Sequence, residues 1–229
     1  MNELEAILAR HSVRAYTGRA IPVDVARRLE AVIDDCNARS GLHLQLVRNE
    51  PGAFGTWKAR YGKFVNVRDY VAVIGDDRLP QFDRDCGYYG ERVVLAAQME
   101  GLNTCWVAMS FSRRKVVADI APGDKIAFLI ACGYGQTQGA PRTTRPLASL
   151  CALPQGMRLE GAPEWFRAGI QAASLAPTAV NTQNFLVTLH DDLKSASIAP
   201  TSGPYAATDA GIAKYNFEVG AGRDSFSWR

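Results

Sequence analysis

The chain has 229 residues, 47% of them apolar and 21% charged, with a formal net charge of +3. These values are ordinary for a globular protein with a real core, and the length suits one domain or two small ones. No Lys/Arg block exceeds three residues, so a general nucleic-acid surface is not indicated, and no apolar run approaches the roughly 18 residues a membrane span needs.

In chain order, residues 3–9 read as a short helix and 22–37 as a longer one. In the second, Pro22 stands where a first turn tolerates proline, and Val25, Leu29, Val32 and Ile33 share a face. A strand is expected over 42–47, alternating apolar and polar. Residues 50–68 lack a clear period and read as loop or broken helix, followed by a short buried strand over 70–74. A strongly helical stretch from 86 ends at Gly101, then a strand covers 104–109, a small helix 113–120 and a central strand 125–132. Residues 133–146, rich in Gly, Pro, Thr and Arg, form the best internal boundary. Beyond it come a helix over 164–175, a strand from Phe185, a helix over 206–220 and a closing strand near 226–228.

Part of this order occurs twice. Helix, loop and strand over 22–47 match 163–189, with a loop about three residues longer in the second copy, within ordinary loop-length variation. Asp85-Cys86-Gly87-Tyr88-Tyr89-Gly90-Glu91 likewise matches Asp209-Ala210-Gly211-Ile212-Ala213-Lys214-Tyr215. The alternative is coincidence between amphipathic helices.

Five cysteines without a C-x-x-C pair signal neither a disulfide framework nor zinc, and three scattered histidines lack metal-ligand spacing, so no metal site is expected. The N-terminus, Met1-Asn2-Glu3-Leu4-Glu5, is acidic where a signal peptide would be basic, which points to the cytoplasm. Gly133-Tyr134-Gly135-Gln136-Thr137-Gln138-Gly139 resembles a dinucleotide fingerprint, but Pro141 and Pro146 deny it the following helix that would take a pyrophosphate. No acid/base pair of carboxylates stands out.

Two segments carry the chemistry. Arg10-His11-Ser12-Val13-Arg14 sets two guanidinium groups around a hydroxyl, and the planar fork of arginine suits phosphate. Ala176-Pro177-Thr178-Ala179-Val180-Asn181-Thr182-Gln183-Asn184 follows a helix and feeds a strand. Its amides supply donors and acceptors for a flat, polar-edged ring. Taken singly, each segment also reads as a surface turn.

With the glycine-punctuated helix, these segments resemble the FMN-dependent nitroreductase family, closest to its internally duplicated branch. The resemblance runs from about residue 10 to about 219. It implies an α+β fold, a mixed sheet flanked by helices, with halves 1–140 and 141–229 packed as a pseudo-dimer. It implies FMN held by Arg10, His11, Ser12 and Arg14, with Arg142 and Arg145 completing the phosphate pocket. Pro177, Thr178, Asn181 and Gln183 would meet the ring. Lys63 would place positive charge by the reduced flavin, and the backbone at Trp106 and Val107 would pass its reactive nitrogen. Trp106 reads equally well as core.

The implied activity is electron transfer from NAD(P)H through FMN to a small nitroaromatic, quinone or similar acceptor, without catalytic side chains of its own. Neither nucleic acid nor membrane is an expected partner, and the assembly is a monomeric pseudo-dimer or a homodimer. A non-catalytic flavin-binding protein, for storage or sensing, is the alternative. The chain departs from the family at Asn184, where many members have proline.

Overall fold

The computed structural model describes residues 1–229. Two four-stranded sheets enclose a layer of helices. Helix α1 (Glu3–Ala9) is closed by a capping box from Asn2 and Glu5, and α2 (Val23–Ser40) ends at Gly41, whose φ of +70° is left-handed. The first sheet has order β1-β2-β4-β3, antiparallel throughout, from β1 (Gln45–Val47), β2 (Asp69–Gly75), β3 (Asn103–Val107) and β4 (Lys125–Gly133). All seven residues of β2 are buried, as its run of branched side chains requires. Between β1 and β2 lies the short α3 (Trp57–Tyr61), and α4 (Phe82–Met99) precedes β3.

The second sheet has order β5-β6-β7-β8: β5 (Cys151–Ala152), β6 (Phe185–Leu189), β7 (Ser195–Pro200) and β8 (Ser227–Trp228). Its outer pairs are parallel and its central pair antiparallel. Helices α5 (Glu164–Ala173) and α6 (Ala206–Ala221) complete this half. The fold is α+β, as expected. Only the second sheet is mixed, however, and the strands sort into two sheets rather than one.

The helix layer depends on backbone proximity. A Cβ on Gly87 would lie 2.0 Å from the Thr208 carbonyl oxygen and 3.0 Å from the Ile212 nitrogen. One on Gly211 would lie 2.1 Å from the Arg84 oxygen and 2.9 Å from the Tyr88 nitrogen. The two contacts are reciprocal, each glycine meeting the residues three before and one after the other. On the opposite flank of α6, Gly169 of α5 faces the Phe217 ring and Gly220 faces Ala168 and Ala172. Helix α6 is thus buried on most of its circumference.

Three expectations are corrected. The first strand begins at Gln45, not 42, because the Asn37 side chain brackets Leu44, accepting from its N–H at 2.8 Å and donating to its carbonyl at 3.0 Å. The helix expected over 113–120 is a single 3₁₀ turn, Arg113–Lys115. Three cations oppose a helix N-terminus and two valines follow, while the N–H groups of Val117 and Asp119 bond the Tyr70 hydroxyl and Gln45 side chain instead. Strand β7 was not anticipated, because Ser195-Ala196-Ser197-Ile198-Ala199-Pro200 has little apolar alternation and becomes a strand through its register with β6. No helix is long and apolar enough to cross a membrane.

Gly87→Ala and Gly211→Ala should each lower stability by at least about 2 kcal/mol, because a backbone rather than a flexible side chain must yield. Gly161→Ala, with nothing within 4 Å of the added carbon, is the control. Urea midpoints for the three variants check the expectation.

Candidate functional site

Arg10 caps α1 in an extended conformation, its N–H bonding the Ala6 carbonyl, and the chain then runs beside β3. Ser12 bridges Thr104, and the Val13 N–H bonds the Thr104 carbonyl at 3.0 Å. Burial raises the Cys105 thiol, and Arg14 and Arg10 act against that shift. Val13 is buried in the same core cluster as Cys105.

The three positions differ in depth. Arg14 is exposed, Ser12 is half-buried, and Arg10 is 1% exposed with both Nη1 and Nη2 unpartnered. Arg142 lies beside it, donating from Nη2 to the Arg10 carbonyl at 3.4 Å while its own Nε is buried without a partner. Burial depresses both guanidinium groups, Arg142 to about 10, and Glu91 opposes the shift in each. His11 is also lowered, chiefly by burial and then by Arg142 and Arg10.

Glu91, on the inner face of α4, is fully buried, and no contact within 4.0 Å joins it to either arginine. It accepts from the Trp106 indole at 3.2 Å, its Oε1 is unpartnered, and burial lifts its carboxyl to about 7 against the pull of Arg10. Trp106 covers Gly90, whose Cβ would lie 2.3 Å from the ring, and stands edge-on to Phe128. Trp106 is thus a packing element, and its indole also meets the buried Glu91. Val107 is buried at the end of β3.

The second segment approaches the first along the strip 142–145. Thr143 accepts from Asn181 Nδ2 at 2.7 Å, and the Arg145 N–H bonds Gln183 Oε1 at 2.6 Å. Gln183 is 1% exposed and fully committed: its Nε2 donates to Ser174, its N–H to Thr178 Oγ1, and its carbonyl accepts from Arg145 Nη1. It shapes the loop from within and offers no free amide to a ligand. Pro177 is buried at the loop's entry, and the Thr178 side chain closes it. Lys63 is exposed at φ +62°, two residues before Val65, whose N–H bonds the Arg14 carbonyl.

The loop is strained. Val180, Asn181 and Gln183 have φ of +43°, +60° and +52°, and Val180 is 95% exposed, with no packing to offset the cost of a β-branched residue there. Asp209 of α6 opposes the strain by accepting the Ala179 N–H with both oxygens, at 2.9 and 3.2 Å. Sequence reading missed Glu91 and Asp209. Each is a lone carboxylate on the apolar, glycine-bearing face of its helix, and they occupy the two segments matched in the repeated order.

The group implied by the sequence carries a phosphate. Three unpartnered guanidinium nitrogens at Arg10 and Arg142, beside the buried unpartnered Oγ1 of Thr104, fit an anion. Gly139 packs closely on the segment 10–14, where an added Cβ would lie 2.6 Å from the His11 Cβ.

A family model described as "Putative TM nitroreductase" matches residues 2–221. The chain belongs to this family. Among solved structures, this nitroreductase-family chain is similar to a Thermotoga maritima protein crystallised as a "putative nitroreductase". The TM-score is 0.67 at 22% identity, over 96% of this chain and 83% of that one. A nitroreductase family protein from Streptococcus pneumoniae matches at TM-score 0.51 and 16% identity, 98% of it covered by 65% of this chain. A Bacteroides thetaiotaomicron protein described as a "Putative NADH dehydrogenase/NAD(P)H nitroreductase" matches at 0.50 and 21%, over 63% of this chain and 92% of that one. At such identities the likeness speaks for the fold. No match was found among curated proteins.

Two expectations follow. Val180→Asn, which accepts left-handed φ at lower cost, should raise stability by about 1 kcal/mol, read as a higher Tm. Burial lifts Asp209 to about 6 from an ordinary 3.8. The folded state thus holds this proton more tightly than the unfolded chain. Its contribution is full below about pH 4 and is lost as pH rises through about 6. Asp209→Asn keeps an acceptor for Ala179 and cannot ionise, so it should gain on wild type by about 3 kcal/mol across that window. Urea midpoints from pH 4 to 7 would show a pH-independent difference if this account were wrong.

Proposed function

We propose that this nitroreductase-family chain is an FMN-dependent oxidoreductase carrying electrons from NAD(P)H to a nitroaromatic, quinone or similar small acceptor. The observation that carries the reading is the buried, unpartnered guanidinium of Arg10 with the half-buried Arg142 beside it, whose Nε is buried without a partner, joined through residues 142–145 to the strained loop at Asn181. Bound FMN would supply the redox chemistry, accepting hydride from the donor and releasing two electrons to the acceptor.

The chain's own residues bind and orient. Arg10 and Arg142 hold the phosphate, with Ser12, Arg14 and Arg145 at its margin. Charge-assisted bonds at about 1.5–3 kcal/mol each would supply much of the roughly 8 kcal/mol that micromolar retention needs. Asn181 turns its Oδ1 to the polar edge of the ring while its Nδ2 holds Thr143. Pro177, Thr178 and Gln183 fix the loop, and Lys63 adds positive charge. Residues Trp106 and Val107 form the wall beside the ring. For a nitroarene the net reaction is R–NO2 + NAD(P)H + H⁺ → R–NO + NAD(P)⁺ + H2O.

We also read the chain as two nitroreductase-like halves, 1–140 and 141–229. The reciprocal contacts of Gly87 and Gly211 support this reading. One site per chain follows, because only the first half carries the Arg-x-Ser-x-Arg segment.

Protein purified without added cofactor, or soaked with FMN and desalted, should be yellow and release FMN on denaturation. With NADH or NADPH it should reduce members of an acceptor panel. Arg14→Ala and Arg142→Ala should weaken FMN retention roughly ten- to hundredfold at unchanged Tm. Colourless protein that fails to retain FMN would overturn the proposal.

A further inference from the structure

Beyond the end of β3 lies a cavity of about 690 Å³, walled by Trp57, Lys58, Met109, Arg114 and Tyr205, with Arg113 and Phe111 behind them. It is within the usual size range of small-molecule sites. Its lining contains three cations and no carboxylate. None of the three is ion-paired, because the salt bridges of the chain all lie elsewhere. Arg113 is pinned by the carbonyls of Ile126 and Ala127, so its charge is fixed in place but not neutralised. Lys58 and Arg114 are exposed.

The apolar wall is equally unsatisfied. Trp57 is 72% exposed and Met109 74%. Of the four tryptophans, Trp106, Trp165 and Trp228 each pack on aromatic rings, while Trp57 has no aromatic neighbour. The Thr56 hydroxyl, which also lines the cavity, is buried without a partner although Thr56 is the N-cap of α3. Tyr205 closes the far side. It stands at the N-cap of α6 and packs on Phe128, which Trp106 also meets. The cavity therefore adjoins the β3 end that the proposed function sets beside the ring.

We propose that this cavity selects an anionic aromatic acceptor, a flat ring bearing a carboxylate or similar acid. The ring lies between Trp57, Met109 and Tyr205, and the acid is held by Lys58 and Arg114, with Arg113 adding fixed field. A planar ring uses the exposed indole, and an acid answers unopposed cations that a neutral quinone or nitroarene leaves unpaired. This inference rests on the reading of the chain as a flavin oxidoreductase, and it narrows the acceptor class.

The test compares 4-nitrobenzoate with neutral 4-nitrobenzyl alcohol, on FMN-loaded protein, by calorimetry and by steady-state kinetics. The expected result is binding of the benzoate at least tenfold tighter, with a correspondingly lower KM and similar kcat. In the Lys58→Gln/Arg114→Gln double variant the ratio should fall to within about threefold, the alcohol being unaffected. Raising salt from 50 to 500 mM should erode the preference in wild type. Equal affinity for the two compounds, or a preference untouched by the double substitution, overturns the inference, even if both compounds turn over. A charge preference in binding without turnover of any acceptor supports the cavity assignment and overturns the proposed activity instead.

Discussion

The crossing of α4 over α6 is the constraint from which the rest of the structure follows. Neither helix can sit this close with a side chain at the contact, since the space around Gly87 and Gly211 is occupied by the other helix's carbonyl oxygen. Close approach fixes how the two sheets face each other, and it brings the inner face of α4, with Gly90 and Glu91, against Trp106. It also sets the start of α6, where Tyr205 and Asp209 reach a cavity wall and the strained loop. Substitution at the crossing would move every one of these groups together.

The charges around Arg10 illustrate how a buried binding group is tolerated. A guanidinium removed from water without a counter-charge would be strongly unfavourable. Glu91, when ionised, supplies one from a distance, close enough to raise Arg10 and Arg142 against desolvation yet making no ion pair that would saturate their N–H groups. The cluster stays positive overall, two arginines to one carboxylate whose own proton is held up to about pH 7. An anion entering it would complete the electrostatics rather than displace an existing partner.

Much of this was legible from residue pattern. The run Tyr70-Val71-Ala72-Val73-Ile74 can only be a buried strand, and α2 announces itself by its apolar stripe after Pro22, although it runs to Ser40 rather than to the expected residue 37. The internal echo picked out the two glycines that meet at the crossing. Legibility failed where a backbone group found a side chain for a partner, as at Leu44 and Val117, or where pairing alone made the element, as in β7. In the site, the strip 142–145 was recognised for its arginines, yet its backbone proves equally important in tying Asn181 and Gln183. The inward role of Gln183 was hidden because an amide looks the same in sequence whether it serves a ligand or its own loop. Glu91 was missed because a single carboxylate on an apolar helix face carries no motif.

The helix crossing has one further consequence. In a symmetric pair built from identical chains, any change at a shared axis strikes both sides of the contact, and its energetic effect is doubled. Here Gly87 and Gly211 are separate positions in one polypeptide. A replacement at either position therefore alters one side of the contact only, and the opposing backbone keeps its own sequence.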